Sequence, residues 1–268
     1  MLICTPMFHC SRMAETDGAK VQWKSEWKTD VVYLHVFPRA MAKCVPNISP
    51  FAMKLETWLR MNDISYEIID HMGFSSKKQS PFIMFNEEEM PDSNFIIEYL
   101  SKYFKKDTYP GMNPEQKAVG RSFLKMVEEN TTWSIFWYRY VEHMTEYRNY
   151  LKFQVPEEMQ EKVGAGLSSS VKDRAWKHGI GHHSSEEIYK IGSDDIRAIS
   201  TYLGEKKYFL GDTPSLIDCT LFGFLAQIIF VPLDFPMKTV IQEECSNVLD
   251  YINRIKEQFW PHWEDQQL

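Results

Sequence analysis

A chain of 268 residues, 44% hydrophobic and 14% aromatic, holds more apolar material than one small domain can bury, so two domains are expected. Its formal charge of -7 leaves no basic stripe to neutralise phosphates, which sets nucleic-acid binding aside. Charged residues at 25% and an uncharged apolar run, Cys219 to Leu233, that is shorter than the roughly 20 residues of a bilayer span argue against both a disordered and a membrane-spanning chain.

The opening MLICTPMFHC is interrupted by Pro6 and lacks the basic start and apolar core of a secretory signal. Residues 1–28 are read as an N-terminal extension, with Met1 to Phe8 leaving a peripheral membrane contact open. Five cysteines without a CxxC pair disfavour a disulfide framework and point to a reducing, cytoplasmic setting. The first predicted element is a strand at Val31 to Phe37, VVYLHVF, whose faces are both mostly apolar, as suits a sheet covered on two sides. After the loop PRAMAKCVPNI, Phe51, Leu55, Trp58 and Leu59 recur at helical spacing, with Ser49 as N-cap and Pro50 at the first helical position. SYEIID predicts a second strand, and SPFIMFNEEEMP predicts two short strands joined at Asn86 to Glu88. DSNFIIEYLSKYF returns to helical spacing through Phe95, Ile96, Tyr99, Leu100 and Tyr103. The order β-α-β, helix or loop, β-β-α is the thioredoxin-type arrangement, a parallel half followed by an antiparallel hairpin and a closing helix.

Pro110, Gly111 and Pro114 in DTYPGMNPEQ break helix and strand alike, so the chain divides into residues 29–106 and 112–268. The second part reads as all-helical. Asn113 with Gln116 caps a helix whose stripe is Val119, Phe123, Met126, Val127 and Trp133. Ser184 with Glu187 heads a helix carrying Ile188, Ile191, Ile199, Tyr202 and Leu203, and Ser215 with Asp218 precedes CTLFGFLAQIIF. Val155 to Trp176, rich in Gly and Ser and poorly periodic, carries no prediction.

A thioredoxin-like half before an all-helical half resembles the glutathione transferases, and particular residues carry the likeness. Ser49-Pro50-Phe51 resembles the Ser-Pro-Phe or Cys-Pro-Phe that opens the first helix in omega-like classes. Ser80-Pro81 resembles the residue and cis-proline before the third strand, Asp92-Ser93 the acidic-Ser pair that starts the next helix, and FLGDTPSLIDCTLFGFLAQI the buried capping-box helix of the second domain. The runs SPFAMKLETWLRM, HGIGHHSSEEI and KKYFLGDTPSLIDCTLFGFLAQ resemble the failed-axon-connections family, which is metaxin-related, over Val31 to the FWPHW near the end.

The resemblance implies glutathione as ligand and co-substrate. Ser49 is the candidate catalytic residue, its hydroxyl donating to the sulfur at a helix tip whose free amides favour a thiolate; the alternative is a hydroxyl that only caps the helix. The backbone of Ser80, exposed by Pro81, pairs with the cysteinyl part of the tripeptide, while Asp92 and Ser93 hold the γ-glutamyl end or act as a plain cap. Trp133, Trp137 and Tyr138 are candidates for the wall of a co-substrate pocket, against a purely structural role. Arg139 beside them reaches a carboxylate or is a solvated charge. Tyr33 lies mid-strand and reads as core, Phe37 at the strand end has nothing to donate, and Cys44 is a lesser candidate for a mixed disulfide. His178, His182 and His183 sit in a loop interrupted by Gly179 and Gly181, so no metal is assigned.

Two functions follow. The first is a glutathione transferase that conjugates or transfers the thiol to small hydrophobic electrophiles, a detoxification role, with the homodimer usual for the superfamily. The second is a non-catalytic scaffold of the failed-axon-connections type, acting in axon development through a protein or membrane-surface partner.

Overall fold

The computed structural model describes residues 27–39, 44–150 and 157–264. The extension assigned to residues 1–28, with Met1 to Phe8, lies almost wholly outside the described residues.

Strand β1, Val32–Val36, is buried at every position, as its two-sided apolar character predicts. It pairs in parallel with β2, Tyr66–Asp70, setting Leu34 beside Ile68, and antiparallel with β3, Phe82–Phe85, setting Leu34 beside Ile83. The hairpin partner β4, Glu88–Pro91, completes a four-stranded sheet in the order β2-β1-β3-β4. Helix α1, Pro50–Met61, starts at its Ser49 cap, and α2, Ser93–Tyr103, starts at Asp92. Between β2 and β3 the chain forms a loop and no helix; Ser75 holds it by accepting from Gln79 N–H through its hydroxyl and from Lys78 N–H through its carbonyl. This half is a thioredoxin-like domain. Val32, Leu34, Trp58, Leu59, Ile83 and Ile97 form its core.

The second domain is helical. Helix α3, Pro114–Met126, begins in the Asn113 and Gln116 capping box, and the helical path continues through π-helical turns at Val127–Thr131, α4 at Thr132–Phe136, and further π-helical turns at Trp137–Glu142. Then follow α5, Met144–Tyr150, α6, Glu157–His178, and α7, Ser185–Leu203, capped by Ser184 with Glu187. The stretch left without a prediction is therefore largely α6; its small residues weaken the apolar stripe without breaking the helix. Buried α8, Leu216–Ile229, precedes α9, Pro236–Glu243, and α10, Ser246–Phe259. The Asp218 carboxylate accepts from Ser215 N–H at 2.8 Å, Ser215 hydroxyl at 2.9 Å, Phe209 N–H at 2.8 Å and Tyr251 hydroxyl at 2.7 Å, which fixes the start of α8.

Helices α1 and α8 join the domains at very short range. A Cβ on Gly223 would lie 2.6 Å from the Pro50 carbonyl oxygen and 2.7 Å from the Lys54 nitrogen, so only glycine permits this approach. Trp260 adds a hydrogen bond from its indole N–H to the Thr57 hydroxyl at 3.0 Å, under the Arg60 guanidinium at 3.9 Å from its ring.

Candidate functional site

The α1 tip is assembled by local polar bonds. Asn47 accepts from Ser49 N–H at 2.9 Å and donates to the Phe37 carbonyl at 2.7 Å, while Gln227 of α8 donates to the Asn47 carbonyl at 2.9 Å. Ser49 is only 8% exposed, and its hydroxyl accepts from Ala52 N–H at 3.3 Å, the geometry of a helix cap.

The third strand is entered through a cis Ser80–Pro81 peptide. Among the described residues, no backbone group pairs with the N–H or C=O of Ser80. At the tip of α2, Asp92 adopts a left-handed φ of 74°, and its carboxylate accepts from Asn94 N–H at 2.9 Å and Phe95 N–H at 3.3 Å. Among the described residues the N–H of Ser93 has no backbone partner, and α2 points its positive end at the same space.

Between the domains these groups meet a facing wall. Ser80, Pro81, Asp92 and Ser93 line one side of a cleft, and Glu128, Thr132, Trp133, Phe136 and Arg174 line the other. The π-helical turns at Val127–Thr131 carry Glu128 towards the first domain. There Lys54, fully buried on α1, donates to Glu128 at 2.6 Å and to the Asn94 side-chain oxygen at 3.0 Å, and Asn94 donates back to Glu128 at 2.9 Å. Burial works against the Glu128 carboxylate, but Lys54, Asn94 and Lys125 outweigh it and hold its pKa below the ordinary value. Among the described residues, the buried atoms Gln79 Oε1, Ser80 Oγ and Thr132 Oγ1 on lining residues find no hydrogen-bond partner. Unmatched buried polar atoms on residues that line one cleft fit a seat for a polar ligand.

Of the residues singled out in the sequence, the structure brings Ser80, Pro81, Asp92, Ser93 and Trp133 to this cleft. Ser49 is not among the lining residues, although Phe51, two positions on, is. Trp137 and Tyr138, the other two candidates for the co-substrate wall, are not among the lining residues of this cleft. Trp137 turns its indole N–H to the Ser185 hydroxyl at 2.9 Å, and Tyr138 stacks on His143 and packs against Phe235. Arg139 is no surface charge; it is fully buried and donates to the Gln227 carbonyl at 2.8 Å. Burial pushes the Cys44 thiol upward despite Arg139 and Lys238, which argues against a reactive thiolate. His178 ends α6 against Trp133 and His182 stacks on Trp176; no metal-ligating cluster occurs among the described residues. Sequence reading missed Gln79, Thr132 and Arg174, which carry no motif and reach the cleft only through tertiary packing.

The sequence profile of the glutathione S-transferase N-terminal domain matches residues 50–145, and that of the C-terminal domain matches residues 192–255. The chain belongs to the glutathione S-transferase superfamily. Within it the kinship is to failed axon connections and the metaxins. Failed axon connections of Drosophila melanogaster is 33% identical over 262 residues, which is 90% of this chain but 61% of that relative's length. A metaxin-1 homologue of Caenorhabditis briggsae is 30% identical over 87 residues, covering 32% of this chain and 28% of that one. An isoprene-epoxide glutathione S-transferase of Rhodococcus sp. (strain AD45) is 27% identical over 225 residues, with 80% of this chain and 94% of that one covered. Among solved structures, a beta-etherase from Sphingobium sp. strain SYK-6 superposes with a TM-score of 0.62 over 85% of this chain and 95% of that one, at 16% identity, which speaks for the fold alone.

Proposed function

We propose that this protein binds glutathione in the cleft between the domains and presents its thiol at the α1 tip for transfer to small electrophiles, a detoxifying conjugation. The supporting observation is the convergence, among the described residues, of polar groups that a short zwitterionic peptide needs on one wall: the Ser93 N–H and Ser80 backbone edge without a backbone partner, the unpartnered Ser80 hydroxyl, and the unpartnered Gln79 side-chain oxygen, which accepts from an ammonium or amide N–H. The γ-glutamyl carboxylate sits on Ser93 at the positive end of α2, and the Asp92 carboxylate takes the adjacent ammonium. The cysteinyl backbone pairs in extended form with Ser80. In the transfer itself the thiolate forms the S–C bond while the electron pair of the breaking bond leaves with the departing group, and Ser49 donates its proton in a hydrogen bond to the sulfur. Titration calorimetry with glutathione, together with conjugation kinetics on the wild type and on Ser49→Ala, tests this. Binding with at least a tenfold loss of turnover in the variant is expected.

One observation favours a second reading, a glutathione-fold scaffold without catalysis. Ser49 is nearly buried, caps its own helix and is absent from the cleft lining, and the chain's relatives include failed axon connections. On this reading glutathione binds, but turnover is absent from the wild type, and pull-down from cell extract recovers a stable protein or membrane partner.

A further inference from the structure

A guanidinium stays protonated inside a protein, so burying one is costly unless a counter-charge answers it. Arg139 is fully buried in the second domain, and among the described residues no carboxylate lies within ion-pair distance of it. Its partners are neutral. The guanidinium donates to the Gln227 carbonyl at 2.8 Å and to the Ile48 carbonyl at 3.5 Å, and it packs 5.0 Å from the centroid of the Tyr147 ring and 5.7 Å from that of Phe235. Its Nε finds no hydrogen-bond partner among the described residues. Carbonyl dipoles and ring faces hold the group in place but carry no net charge, so its field persists in a water-excluded interior.

That field falls on the α1 tip. The Ile48 carbonyl belongs to the peptide unit that ends at the Ser49 nitrogen, and the Gln227 side chain donates to the carbonyl before it, that of Asn47, at 2.9 Å. Two second-domain residues therefore brace successive carbonyls behind Ser49, and one of the two is charged. The titratable groups beside them are Cys44, Tyr140, Tyr147 and Lys238, and none is a carboxylate. Burial raises the Cys44 thiol, and Arg139 is the foremost influence opposing it. On the cleft side Lys54 and Lys125 are matched by Glu128 and Glu129, while Asp92 and Arg174 stand on opposite walls.

We infer that Arg139 is an electrostatic determinant of the conjugation, a second-domain cation that acts through the peptide unit before Ser49 to favour negative charge on a sulfur seated at the α1 tip. The inference rests on the glutathione reading above and adds a full charge to the hydroxyl and helix end of that reading. Arg139 touches no reacting atom; it is a positioning residue that acts at a distance.

Glutathione sulfonate carries a fixed anion at the sulfur position and S-methylglutathione a neutral group, so the ratio of their dissociation constants isolates charge there. Titration calorimetry measures both, with glutathione itself, on the wild type, Arg139→Lys, Arg139→Gln and Gln227→Glu. Arg139→Gln keeps a donor for the carbonyls but drops the charge, and Gln227→Glu leaves the guanidinium and sets a carboxylate beside it. The wild type is expected to prefer the sulfonate by about tenfold, Arg139→Lys to keep part of that preference, and the two neutralised variants to lose most of it. A purely structural Arg139 would weaken both analogues alike, so a preference retained in either neutralised variant overturns the inference. A wild type that binds glutathione without preferring the sulfonate also overturns it and leaves the glutathione reading intact. Failure of all three ligands to bind the wild type removes both. Where Arg139→Gln does not fold, Gln227→Glu decides.

Discussion

The Ser49 hydroxyl has two roles that substitution can separate. Ser49→Ala removes the acceptor for Ala52 N–H and is expected to cost about 1 kcal/mol of stability, read as a shift of the urea midpoint. Ser49→Asp accepts but does not donate, so it recovers that stability while turnover stays low; recovery of both would remove the hydroxyl from the chemistry. His35 supplies a residue-scale test of stability against pH. It is buried in β1, stacked on Phe82 with ring centroids 4.4 Å apart, and joined to His71 by a 2.8 Å nitrogen to nitrogen hydrogen bond. Burial, and then His71, lower its pKa from 6.5 to about 3, and burial also lowers that of His71 despite Asp70. Both rings are therefore neutral in the folded chain at pH values where the unfolded chain already takes up protons. The His35 contribution is complete above pH 6.5 and is lost as the pH falls towards about 3, and that of His71 changes in the same direction. The urea midpoint should drop between pH 7 and 5, before most carboxylates titrate, and His35→Phe should flatten that slope.

At the scale of elements, the closeness of α1 and α8 is the most exposed to substitution. Gly223→Ala puts a methyl against backbone atoms at 2.6 and 2.7 Å that cannot rotate away, so a loss on the order of 2–3 kcal/mol is expected by denaturant melt. A variant as stable as the parent would mean that the helices pack differently. Asp218 is the second such point. Its carboxylate collects four donors from three separate segments, and Asp218→Ala strands them in the interior. A cost on the order of 3 kcal/mol follows, whereas replacement of the more exposed Glu187 capping residue should cost about 1 kcal/mol.

For the molecule as a whole, the cleft depends on how the two domains are held. Lys54 from α1, Asn94 from α2 and Glu128 from the second domain form one buried charge network beneath it. Lys54→Met leaves Glu128 without its 2.6 Å partner, at an expected cost of about 3–5 kcal/mol. Glu128→Gln on top of it should restore much of that loss, because no uncompensated buried charge is left. A purely additive double-mutant cycle would show that the pair does not couple the domains. The α2 tip is held through Asn94, so glutathione affinity should fall in Lys54→Met by more than in a surface variant such as Lys102→Met.

The sequence by itself determined the local pieces: the β1 core strand, the Ser49 and Asn113 caps, the hairpin at Asn86 to Glu88, and the division between sheet and helices. Each is written in short-range patterns of side-chain period, capping hydroxyls and turn residues, which neighbours along the chain suffice to impose. Tertiary structure alone decided which of those pieces meet. It drew Gln79, Thr132 and Arg174, which carry no local signal, into one cleft with Ser80 and Ser93, and left Trp137 and Tyr138 out of it. It also buried Arg139 and formed α6 where small residues hide the apolar stripe. Such outcomes depend on how helices wind and pack at distances far along the chain, and no local period records that.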